Sequence, residues 1–208
     1  MKSRLSILAL LVLLIAVGAA PAFAGSVLYD NGPYNGTIDA WTIDYGYWVS
    51  DSFSVAGGGT ATGANFVLWM GNPGDTLTSV DWAIGSTPGA TNLAAGTANA
   101  ALLTDLGLNG RDYDMRSYGI SFPDVTLAAG STYWFTLQNA VVSGGDIIFW
   151  DQNNGPSLGW QSTSGPIGSH AFQIAGTAGS PIPEPSTLGL LGLGLTGLLA
   201  FFRRKTSR

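Results

Sequence analysis

An all-β body, folded as an antiparallel β-sandwich of jelly-roll type and flanked by two apolar termini, is the fold class that this 208-residue sequence predicts. Three observations predict it. Between the termini there is neither Lys nor Glu, the helix-favouring charged residues, while Gly, Thr, Ser, Asn and aromatic residues abound. Apolar residues recur there with period two, the spacing of a half-buried strand. Clusters of Gly, Asn, Ser and Pro separate those stretches as turns do.

At the N-terminus, Lys2 and Arg4 lead into a 13-residue apolar stretch, residues 5–17, followed by Ala22-Phe23-Ala24. This order predicts a secretory signal peptide over 1–24, handed to the Sec export machinery and cut after its A-x-A site. A retained anchor is the alternative, but the stretch is shorter than the ~20 residues of a spanning helix.

Strands are predicted at 26–29, around Phe53 and Val55, at 60–70, across Val80, Trp82 and Ile84, at 118–127, 132–137 and 146–150, and across Phe172 and Ile174. Within 132–137, Tyr133, Phe135 and Leu137 share one face and Trp134 takes the other. Turn signals stand at Asp30-Asn31-Gly32-Pro33, Gly57-Gly58-Gly59, Asn72-Pro73-Gly74-Asp75, Ser143-Gly144-Gly145 and Asn153-Asn154-Gly155-Pro156. Roughly eight to ten such strands make one sandwich over 25–175. One helical turn is expected, at 98–106, and 176–181 reads as a small-residue linker.

The body carries twelve Asp against two Arg, Arg111 and Arg116, a net charge of −10 once both termini are set aside. Such a surface excludes nucleic acid as a partner, because nothing neutralises phosphate. The chain has no Cys, so neither disulfides nor thiol chemistry enters.

The C-terminus has three parts, together 182–208: Ile182-Pro183-Glu184-Pro185-Ser186-Thr187, an apolar run over 188–202 with four glycines, and a basic tail over 203–208. As a helix the run covers about 22 Å, short of the ~30 Å hydrocarbon core, which suits a temporary stop in the inner membrane. A short anchor that is simply kept is the alternative. Pro183 and Pro185 fix φ and deny helix to the residues before them, so Glu184 is presented on extended chain. This grammar resembles the PEP-CTERM sorting signal of Gram-negative bacteria that make exopolysaccharide. The resemblance implies that a membrane exosortase recognises Pro183, Glu184 and Pro185, removes the tail, and passes the body to the cell surface or extracellular matrix. A softer similarity to the ectodomains of such proteins rests on Leu28-Tyr29-Asp30-Asn31-Gly32-Pro33, Val49-Ser50-Asp51-Ser52-Phe53 and residues 150–156, and implies a sandwich without an assigned activity.

For catalysis, a Ser-His-Asp arrangement needs an imidazole, and His170 is the only one; it reads as a surface or edge-strand residue. Zinc lacks its soft ligands, and no two of the twelve aspartates stand out as a hydrolytic pair. The body is therefore expected not to be an enzyme. Calcium is the candidate cofactor, with Asp151 and Asn153, and Asp112 and Asp114, as oxygen donors in Gly-rich loops; Asx turns are the competing reading of the same residues. Stacking on extracellular polysaccharide is the candidate binding chemistry, through Trp41, Tyr45, Trp48, Trp150 and Trp160, with Trp69, Trp82 and Trp134 assigned to the core. A structural matrix component without a discrete ligand, and a polysaccharide hydrolase, remain as alternatives.

Overall fold

Period-two alternation becomes twelve strands and no helix in the computed structural model, which describes residues 26–179. The chain divides into two units, Met1–Ala178 and Gly179–Arg208, and all twelve strands belong to the first. The signal peptide at 1–24 and the sorting segment, with its expected membrane helix at 188–202, lie outside the described residues. Among those described, no helix is long and apolar enough to cross a membrane.

In chain order the strands are β1 (Ser26–Asp30), β2 (Ala40–Thr42), β3 (Trp48–Ser54), β4 (Gly59–Met70), β5 (Leu77–Gly85), β6 (Ala94–Leu108), β7 (Asp114–Leu127), β8 (Thr132–Val142), β9 (Ile148–Asp151), β10 (Gly159–Gln161), β11 (Gly165–Ile167) and β12 (Phe172–Ala178). They pair antiparallel along one path, β1-β12-β4-β7-β6-β5-β8-β3-β10-β11, with β2 and β9 joined to the side of β4. The sheet curls at β6. Its residues 94–99 pair with β5, whereas residues 100–108 pair with β7. One half of the curl is thus β1-β12-β4-β7 and the other is β6-β5-β8-β3. Following the chain, β1 lies in the first half, β3 in the second, β4 in the first, β5 and β6 in the second, β7 in the first, β8 in the second and β12 in the first. That wrapping is the double Greek key of a jelly roll.

The two halves close on one core because their alternating residues point at each other. Phe66 and Leu68 of β4, Tyr118 and Ile120 of β7, and Phe172 and Ile174 of β12 meet Val49 and Phe53 of β3, Val80, Trp82 and Ile84 of β5, and Phe135 and Leu137 of β8 in a single cluster. Each large side chain so buried contributes about 1.5–3 kcal/mol. Trp82 stacks on Phe122 at 4.2 Å between centroids, and Trp150 meets Phe66, Phe135 and Phe172 edge-on. A smaller cluster of Val67, Trp69, Met115 and Ala171 covers part of the outer side of the first half.

Two expectations are corrected. The helical turn at 98–106 is strand: β6 runs through it, held by β5 and β7 against the helix preference of its Ala and Leu. The linker begins later than 176, because Gly176, Thr177 and Ala178 belong to β12 and pair with Ala61, Thr60 and Gly59 of β4, while Gly176 also pairs with Ser26.

Candidate functional site

Alternation along β3, β8 and β10 decides which side chains reach the outside of the second half. Val49, Phe53, Phe135 and Leu137 go inward, so Trp48, Ser50 and Ser52 of β3 and Trp134, Thr136 and Gln138 of β8 face out. Trp160 of β10 lies opposite Ser50 and joins the same side, with Pro166 of β11 beside it. On this face Trp48 and Trp160 are diagonal neighbours across β3 and β10, a separation of about 7–8 Å. All three rings are half-buried, and none of them makes an aromatic contact among the described residues, unlike Trp69, Trp82 and Trp150.

A strap formed by residues 86–93 crosses the face. The Gly89 amide donates to Ser50 Oγ at 2.8 Å, and Asn92 closes the strap by accepting from the Ser86 amide at 3.0 Å. Gly89 has φ +70°, and a Cβ there would stand 2.8 Å from the Trp48 ring. The strap thus supports one side of Trp48 and leaves Trp160 beyond it.

The other aromatic candidates go elsewhere. Trp150, expected as a ligand residue, is 0% exposed in the middle of the core, its Nε1 donating to the Ala171 carbonyl at 3.0 Å. Trp41 pairs directly with Trp150 from β2, packs against that core, and donates to Gln152 Oε1 at 3.0 Å. Tyr45 is 67% exposed in the β2–β3 turn, where its hydroxyl donates to the Gly145 carbonyl at 2.6 Å. Of the five, only Trp48 and Trp160 share a surface. Trp134, assigned to the core from its strand, is the third ring of that surface.

The calcium donors are not brought together. Asp151 is buried with both carboxylate oxygens occupied: Oδ1 accepts from the Gly36 amide at 2.9 Å and Trp69 Nε1 at 2.6 Å, and Oδ2 accepts from the Asn35 amide at 2.8 Å. Desolvation holds this carboxyl above the ordinary aspartate range, against those three donors. Asn153 Oδ1 accepts from Ser169 Oγ at 2.6 Å and from the Gly155 amide at 3.0 Å, the Asx turn that competed with calcium. Asp114 pairs with Arg116 at 2.6 Å. Asp112 is exposed with φ +62° in the loop before β7. Among the described residues no group of three or more His, Asp or Glu side chains is placed to hold a metal ion.

His170 corrects a further expectation. It is 0% exposed, not at the surface, because residues 168–171 pass through the centre of a polar junction. Its Nδ1 lies 3.0 Å from Asp51 Oδ2, which also accepts the His170 amide at 2.5 Å, and its ring leans on Trp150 at 5.0 Å. Asn31 donates to the His170 carbonyl at 2.6 Å and to Ser157 Oγ at 2.7 Å. Asn153 donates to the Asn31 and Pro33 carbonyls at 2.9 and 3.1 Å. The three segments that carry the softer resemblance, around Asn31, Asp51 and Asn153, therefore converge here. They fasten loops to the core and expose no reactive atom. Tyr29 closes the junction by donating to Asn31 Oδ1 at 2.7 Å; burial first, then the nearby Asp51 charge, pushes its phenol up to about 12.

No curated protein matches the chain. A family model described as the PEP-CTERM protein-sorting motif matches residues 181–205, the stretch holding Pro183, Glu184 and Pro185. The chain thus carries the PEP-CTERM sorting signal, the mark of an exported protein whose membrane-attached precursor exosortase processes on the way to the surface.

Proposed function

We propose that the released domain is a non-enzymatic module of the cell surface or extracellular matrix that binds polysaccharide through the outer face of β8, β3 and β10. The observation that carries this reading is the pair Trp48 and Trp160, diagonal on one face, part-exposed and without aromatic partners. Flat rings in that setting offer stacking area to the apolar faces of sugars, and Ser52 and Gln138 beside them offer hydrogen bonds. The −10 charge of the body favours a neutral or cationic polymer over an anionic one.

The test is a glycan array with the purified domain, followed by Trp48→Ala and Trp160→Ala. Each change is expected to weaken binding at least about tenfold, roughly 1.4 kcal/mol, while leaving the melting temperature within a few degrees. Binding is expected to persist in EDTA. Wild-type protein that retains no glycan would favour the second reading, a structural matrix component without a discrete ligand.

A further inference from the structure

The outer side of the first half holds a groove built from different residues. The loop after β1 brings Pro33 and Tyr34 over it, and Gln173 of β12, Asn65 and Val67 of β4, and Ser117 of β7 form its floor. Gln173 lies directly opposite Asn65, and Ser117 opposite Val67, so the polar side chains of three neighbouring strands share one surface. Asn65 and Gln173 are linked in one direction. Asn65 Nδ2 donates to Gln173 Oε1 at 3.4 Å, and Gln173 Nε2 donates to Asp30 Oδ2 at 3.0 Å. The Asp30 carboxylate also takes the Gly32 amide at 2.9 Å, which fixes the start of the loop carrying Tyr34. At the other end, Asn65 Oδ1 is shielded from solvent and accepts no hydrogen bond. An amide carbonyl polarised by two successive donations is thus left with its acceptor capacity unused.

Beside this row stands Tyr34, 47% exposed. No Lys or Arg lines the groove, and its nearest carboxylate, Asp30, is already engaged. An anion would find no counter-charge there, and a purely apolar ligand would leave the amides unpaired. The chemistry that fits is an uncharged ligand with one flat apolar side and several hydroxyls, one of which donates to Asn65 after a small rotation of its amide. We infer that this groove is a second binding site for neutral saccharide, facing away from Trp48 and Trp160. It shares the ligand class of the reading above but rests on separate residues. A domain with sites on opposite sides joins two polymer chains, and the avidity of the joined network exceeds that of either site.

Isothermal titration with two probes, a dextran hexasaccharide and a β-glucan hexasaccharide, separates the sites. Wild-type domain is expected to take up two molecules of the better probe, and the Trp48→Ala/Trp160→Ala protein one. Adding Tyr34→Ala and Gln173→Ala to that protein removes the remaining site. Asn65→Leu serves as a second variant of the groove, because it keeps the volume but removes the acceptor oxygen that the ligand would use; it is expected to abolish the same site. The inference is overturned if the Trp48→Ala/Trp160→Ala protein, melting like wild type, binds neither probe, or if its remaining site survives all the groove changes. A groove that binds while the Trp changes have no effect would instead overturn the reading of the β8-β3-β10 face and leave this inference standing.

Discussion

Asp51 occupies an inward position of β3, between Val49 and Phe53, where alternation calls for an apolar side chain. It is fully buried and compensated by His170, yet Asp51 Oδ1 and His170 Nε2 each remain without a partner. Removing one member of a buried, bonded pair leaves the other's polar group stranded, at a cost of about 3–5 kcal/mol. Asp51→Ala and His170→Ala are each expected to lower the urea midpoint by that equivalent, with an unchanged slope. A loss below about 1 kcal/mol would mean that the junction relaxes around the change. The sequence marks neither residue for this role. His170 stands in a run of small polar residues without periodicity, and its burial depends on contacts 119 residues away, which no local pattern encodes. Trp134 is the opposite case. Its outward direction was legible from the alternation with Tyr133 and Phe135, and assigning it to the core gave its size more weight than its position.

At the scale of elements, legibility follows the length and cleanness of alternation. The apolar stretches of β4, β5, β7 and β8 locate themselves, since each strand supplies three or more inward residues to the core. β6 was obscured because its fifteen residues are rich in Ala and Leu, and pairing on both sides of its bend overrides that propensity. The three-residue strands β2, β10 and β11 are too short to show a period at all. Of the binding face, the rings were visible but their grouping was not: Trp41 and Trp48 are seven positions apart yet lie on different strands, Trp41 turned toward the core and Trp48 away from it. The strap makes an element-level prediction. Gly89→Ala places a side chain in a left-handed conformation and against the Trp48 ring, and is expected to cost about 1–3 kcal/mol. Trp fluorescence should shift with it. An unchanged spectrum and melting temperature would show that the strap does not support the ring.

Across the whole molecule, charge sets the response to pH. Burial raises the carboxyls of Asp44 and Asp151 above the ordinary aspartate value of 3.8. A raised folded-state value means that the native state holds more protons than the unfolded chain between 3.8 and that value. The stabilisation from these two groups is therefore fully present below that window and is lost as pH rises through it. Self-repulsion of a body with charge −10 acts in the same direction. The melting temperature is expected to fall as pH is raised from the ordinary aspartate value of 3.8 through the raised values of these two groups, and a rise over that interval would contradict the assignment.

The acidic β body is cargo and the 182–208 segment is its address, and the mass of the matured protein tests this division most directly. Intact mass spectrometry of surface and medium fractions from a native producer is expected to give a wild-type product lacking the basic tail. The Glu184→Ala protein is expected to stay uncut in the inner-membrane fraction. A wild-type product that still ends at Arg208, or a Glu184→Ala protein that reaches the surface at wild-type mass, would contradict it.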